Sequence, residues 1–94
     1  MESANNELLQ TDKVISIRSG MIVSEDLGTD NPDLKITITN KGPAREIEFF
    51  IKGDRRLRLQ KGDTVTFRLG DYGKERYLSI TNNNYENANV SLKW

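Results

Sequence analysis

The strongest constraint on this chain is a two-residue rhythm that repeatedly starts and stops. From Lys13 onward, apolar and polar residues alternate in short runs. The runs are Ile15–Ile17, Met21–Val23, Leu34–Thr39, Glu46–Ile51, Arg56–Gln60, Thr64–Leu69, Tyr77–Thr81 and Val90–Trp94. Side chains on a strand point alternately to opposite faces, so each run has one dry and one wet face. Most runs are separated by turn-forming clusters, among them 28–32, 40–43, 53–54, 61–63, 70–73 and 82–84, rich in Gly, Pro, Asn and Asp. No stretch keeps a helical period over three turns. The reading is an all-β domain of about eight short strands, a small antiparallel β-sandwich of the immunoglobulin-like or jelly-roll-like kind. The sandwich covers 13–94; residues 1–12, polar and weakly patterned, are expected to form a flexible N-terminal arm with a helical turn near Glu7–Gln10.

Facing residues on paired strands share a face, and this parity suggests two pairings. A three-residue loop, Gln60-Lys61-Gly62, sets Leu59 opposite Asp63 and Leu57 opposite Val65, with Gly62 at a position wanting a left-handed backbone. Parity across Gly53-Asp54 sets Ile51 opposite Leu57 and turns Phe50 outward beside Arg58. If these strands are neighbours in one sheet, its outer face carries Glu48, Phe50, Lys52, Arg56, Arg58, Thr64, Thr66 and Arg68.

Composition removes several functions. The 94 residues contain no Cys and no His. Disulfides, thiolate chemistry, the commonest general base and the commonest transition-metal ligand are therefore absent. The 14 basic and 14 acidic residues cancel, which makes nucleic acid an unlikely partner because dedicated binders carry a basic excess. The charges are unevenly spread: 1–34 holds two basic against seven acidic residues, and 45–76 nine basic against six acidic. No apolar run is long enough to span a membrane, and the first residues lack the basic start and apolar stretch of a secretory signal. A cysteine-free chain suits the cytosol, a bacterial exterior or a virion equally.

No nucleophile elbow, P-loop or dinucleotide fingerprint occurs, and Glu46 and Glu48 lie on a flat wet face, so no enzyme is expected. Calcium is the one metal expectation: Glu25, Asp26, Asp30 and Asp33 place four carboxylates in a turn-rich segment, without the spacing of an EF-hand. Tyr72 and Tyr85, with the amides of Asn83 and Asn84, form a candidate glycan site of aromatic platform and hydrogen-bonding groups. Trp94 shares parity with Val90 and Leu92 and is expected in the core.

The run Leu59–Phe67 resembles the Leu-x-x-Gly-Asp-x-Val-x-Phe stretch of immunoglobulin-like, cupredoxin-like and pre-peptidase C-terminal-type domains. Nine residues shared by several β-sandwich families identify none of them, and copper chemistry of the cupredoxin kind lacks its ligands here. The leading expectation is a non-catalytic interaction or assembly module, acting on a protein partner or itself through an exposed sheet face with Glu48, Phe50, Arg56, Arg58 and Arg68. The alternative is a carbohydrate-binding module using the loop tyrosines, with calcium as a possible aid.

Overall fold

The computed structural model describes residues 11–51, 56–71 and 76–94. Eight strands form: β1 (Asp12–Ile17), β2 (Ile22–Asp26), β3 (Lys35–Pro43), β4 (Glu46–Ile51), β5 (Leu57–Gln60), β6 (Thr64–Arg68), β7 (Tyr77–Thr81) and β8 (Ala88–Lys93). They make two four-stranded antiparallel sheets, ordered β1-β8-β3-β6 and β2-β7-β4-β5. Most consecutive strands cross between the sheets instead of pairing. This is the jelly-roll order, so of the two sandwich types expected from the sequence the jelly roll is the one formed.

The alternation seen in the sequence is the burial pattern. Ile36 and Ile38 point inward from β3, Ile47, Phe49 and Ile51 from β4, Leu78 and Ile80 from β7, and Val90 and Leu92 from β8, all essentially without solvent contact. Phe49 and Phe67 stack across the interior with ring centroids 5.7 Å apart, joining the two sheets through an offset aromatic pair. Burial of these side chains supplies the main stabilising term, about 1.5–3 kcal/mol for each large one.

Three sequence expectations are corrected. First, β5 and β6 do not form a hairpin. They are edge strands of opposite sheets, and Lys61-Gly62-Asp63 carries the chain across. Gly62 is left-handed as expected, with φ +88°. Second, β4 pairs β5 with Phe49 opposite Leu57 and Ile47 opposite Leu59. Parity held, but the register is displaced by two residues from the one that sets Ile51 opposite Leu57. Third, Thr64, Thr66 and Arg68 lie on the outer face of the β3-bearing sheet, away from Glu48, Phe50, Arg56 and Arg58.

Trp94 is half-buried instead of fully inside. Its indole N–H donates to Leu27 O at 2.9 Å, and Lys13 Nζ stands 6.0 Å from the ring centroid. The expected arm lies outside the described residues up to Gln10. Its last residues, Thr11 and Asp12, already belong to the sheet, because Thr11 and Trp94 exchange backbone bonds of 2.7 and 2.9 Å.

The four connections β1–β2, β3–β4, β5–β6 and β7–β8 meet at one end of the sandwich. Backbone bonds tie them together: Gly20 N to Asn82 O, Ala44 N to Asn87 O, Lys61 N to Arg45 O and Gly62 N to Asn40 O, at 2.7–3.1 Å. Two buried asparagines brace this end. Asn40 donates to Ala44 O and Leu59 O, both at 3.2 Å, and accepts from Gly42 N. It therefore links an interior strand of one sheet to the edge of the other.

Candidate functional site at the β7–β8 loop

The β7–β8 connection is shaped by Asn82, the second buried asparagine. Its amide donates to Ile17 O at 2.9 Å and Glu86 O at 2.8 Å, while its side-chain oxygen accepts from Asn84 N at 3.0 Å. An asparagine bonding the backbone two residues ahead forms a side-chain-closed turn. Asn84 extends the brace by donating its side-chain amide to Glu46 O and accepting Ser19 Oγ at its carbonyl. Polar side chains inside a sandwich must be satisfied, and these bonds convert that requirement into a fixed loop shape.

On this support stands a surface depression of about 370 Å³ lined by Arg45, Asn83, Asn84, Tyr85 and Glu86. Tyr85 is 102% exposed, so its whole ring is open to solvent. Three of the four residues expected from sequence to bind a ligand, Asn83, Asn84 and Tyr85, are brought together here. The fourth, Tyr72, lies outside the described residues. Arg45 and Glu86 complete the lining and were not foreseen. Arg45 reaches the site from the β3–β4 connection, and no local pattern in the sequence marks that encounter.

The expected sheet-face cluster is partly assembled. Arg56 lies 5.0 Å above the Phe50 ring and 3.6 Å from Glu48, and Arg58 stands 3.4 Å from Glu48 and 4.0 Å from Glu46. Phe50 is half-buried beneath this cover. Arg68 belongs elsewhere, 3.2 Å from Asp71 and 3.7 Å from Asp33. The hydrogen bond and charge of Asp71 hold its guanidinium above the ordinary arginine range. The Arg76 guanidinium is likewise raised, by its hydrogen bond to Tyr77 and then by Asp26.

The carboxylates considered for calcium diverge. Glu25 pairs with Lys13 at 3.0 Å, Asp26 with Arg76 at 3.2 Å and with Gly28 N at 2.8 Å, and Asp33 with Arg68. Among the described residues no three acidic side chains converge on a metal position.

A search against known families found no matching family model, and no curated protein matched. Among solved structures the chain is similar to the Cupin_2 domain of an XRE-family transcriptional regulator from Enterobacter cloacae, with a TM-score of 0.64 and 17% identity over 94% of this chain and 83% of that one. The fold is thus similar to that of a cupin domain. At this identity the likeness concerns architecture alone. Here the space between the sheets is packed with Ile, Leu, Val and Phe, and the buried polar side chains described are Asn40, Thr81 and Asn82. The cupin-like sandwich therefore presents its polar chemistry at the loop end and on its outer faces.

Proposed function

We propose that this chain is a non-catalytic carbohydrate-binding module whose site is the depression beside Tyr85. The observation that carries the reading is a fully exposed aromatic ring standing on a rigidly braced polar loop. An open tyrosine ring offers an apolar platform for the C–H face of a sugar, and the Asn83 and Asn84 amides supply donors and acceptors for its hydroxyls. Because Asn82 already fixes the loop, little conformational entropy would be lost on binding. The depression holds one carboxylate, Glu86, whereas glycoside hydrolysis ordinarily requires two flanking the scissile bond.

A glycan array followed by titration calorimetry tests the reading. Tyr85→Ala should weaken binding by about 30-fold, the scale of an aromatic anchor, and leave the thermal midpoint unchanged because the ring buries nothing. Absence of binding to every glycan, or affinity unaffected by Tyr85→Ala, contradicts it.

Assembly through the outer face of the β2-β7-β4-β5 sheet is the second reading. Its support is that Ile22 (61% exposed), Tyr77 (40% exposed) and Phe50 all point outward from that sheet. Sedimentation across a concentration series would reveal a defined oligomer that Phe50→Glu dissolves; a monomer at high concentration removes this reading.

A further inference from the structure

We infer that the ligand taken beside Tyr85 is an acidic saccharide, one bearing carboxylate or sulfate groups, with Arg45 as its principal anchor. The inference rests on the carbohydrate-binding reading above and adds the sign of the ligand's charge. It comes from which cations are already neutralised. Arg56, Arg58, Arg68 and Arg76 each stand within 4 Å of a carboxylate. Arg18, Lys41, Arg45 and Lys61 form no ion pair among the described residues. Arg18, Arg45 and Lys61 sit in connections that meet at the Tyr85 end, and Lys41 lies near the end of β3 that enters them, while Lys35 at the start of β3 is unpaired among the described residues as well.

These connections are in contact. Lys61 N bonds Arg45 O at 2.8 Å, and Ser19, next to Arg18, bonds Asn84. The Lys61 stem lies over Gly42, where an added Cβ would come 2.9 Å from Lys61 Cε, so the lysine is laid across the β3 bulge next to Lys41. Asp63 and Glu86 are the acidic groups of this end that form no ion pair among the described residues, so the four cations of this end outnumber them.

Arg45 is the cation that lines the depression itself. A guanidinium presents two parallel N–H groups that match a carboxylate or sulfate, and a charge-assisted pair of that kind is stronger than a neutral hydrogen bond. Glu86, also in the lining, would repel the acidic group and accept from a hydroxyl. The two charges thus orient the sugar with its acid toward Arg45. A nucleic-acid strand would be a poorer fit, because successive bases need successive stacking rings and this depression offers Tyr85 alone.

The test uses the full chain and four probes in titration calorimetry: a chondroitin sulfate oligosaccharide, the same oligosaccharide desulfated and carboxyl-reduced, a neutral chito-oligosaccharide, and oligo(dT). The acidic oligosaccharide should bind at least about tenfold tighter than its neutralised form, the scale of one charge-assisted bond. Its affinity should fall with added salt. Arg45→Gln should erase that preference and leave the thermal midpoint unchanged, while Arg45→Lys restores part of it. Equal affinity for the acidic and neutralised forms, still dependent on Tyr85, overturns the inference and leaves the carbohydrate reading standing. Binding to no saccharide overturns both. Tighter Arg45-dependent binding of oligo(dT) than of the acidic oligosaccharide overturns the inference in favour of nucleic acid.

Discussion

The outer face of the β2-β7-β4-β5 sheet and the β7–β8 loop end are built from similar materials, an aromatic ring with arginine and glutamate around it, yet they use them in opposite ways. On the sheet face the set is closed on itself: Arg56 covers Phe50, and Glu48 holds both Arg56 and Arg58. At the loop end the ring is bare, and Arg45 and Glu86 line the same depression without an ion pair among the described residues. Pairing within the molecule spends the specificity a surface could offer a partner. A surface rich in aromatic and charged residues is therefore a recognition site only to the extent that its groups remain unpartnered.

This contrast can be broken at four places. The largest effect is expected at Asn82. Asn82→Ala removes two donor bonds and two acceptor bonds and should cost about 3 kcal/mol in urea denaturation. It should also abolish saccharide binding by releasing the loop, whereas a loss below about 1 kcal/mol would mean the brace is not what shapes the site. Next, Phe50→Ala should lower stability by about 1–2 kcal/mol, through lost burial and the lost Arg56 contact. Glycan affinity should not change, and a variant weakened in binding would reverse the assignment of the two surfaces.

A smaller effect concerns Thr81. Its Oγ1 is buried without a hydrogen-bond partner among the described residues. Thr81→Val keeps the shape and removes the unsatisfied group, so it should stabilise by up to about 1 kcal/mol; destabilisation would reveal a bond made by that hydroxyl. The smallest effect is the pH response of the paired arginines. Arg68 and Arg76 have raised values. Any stability they contribute is present in full below the unfolded arginine value and is lost only as pH rises through the higher folded value, at the extreme alkaline end. Arg68→Gln should therefore leave the shape of the stability curve unchanged from about pH 5 to 10, and a slope that appears in that window would contradict the pairing.

Much of the fold was legible because strand parity is local. Ile36, Ile38, Phe49, Leu78, Ile80, Val90 and Leu92 are inward as their alternation requires. Which sheet a strand joins is not local. Leu59 to Phe67 has the form of a hairpin, yet Asn40 bonding Leu59 O and Phe49 stacking on Phe67 belong to contacts between two layers, and they hold β5 and β6 in different sheets. The parity argument assumed adjacency, so the shared face with Arg68 was lost when the chain crossed.

The site divides along the same line. Asn83, Asn84 and Tyr85 adjoin in the chain and could be seen as a polar, aromatic loop. Arg45 arrives from another connection, and Asn82 reads from sequence as one more turn residue although it is buried and satisfied from three directions. Nor does the sequence reveal which charges are already paired. The acidic first third and basic middle of the chain are joined by ion pairs, Asp26 with Arg76 and Asp33 with Arg68. At the loop end, Arg18, Lys41, Arg45 and Lys61 form no ion pair among the described residues.

Amide chemical-shift mapping during titration with an acidic oligosaccharide tests the central claim most directly. The account predicts that perturbed resonances cluster in 18–20, 41–46, 61–63 and 82–87, with the largest shifts at Asn84, Tyr85 and Glu86, and that the amides of Glu48, Phe50, Arg56 and Arg58 stay in place. Perturbations centred on that sheet face, with the β7–β8 loop silent, would contradict it.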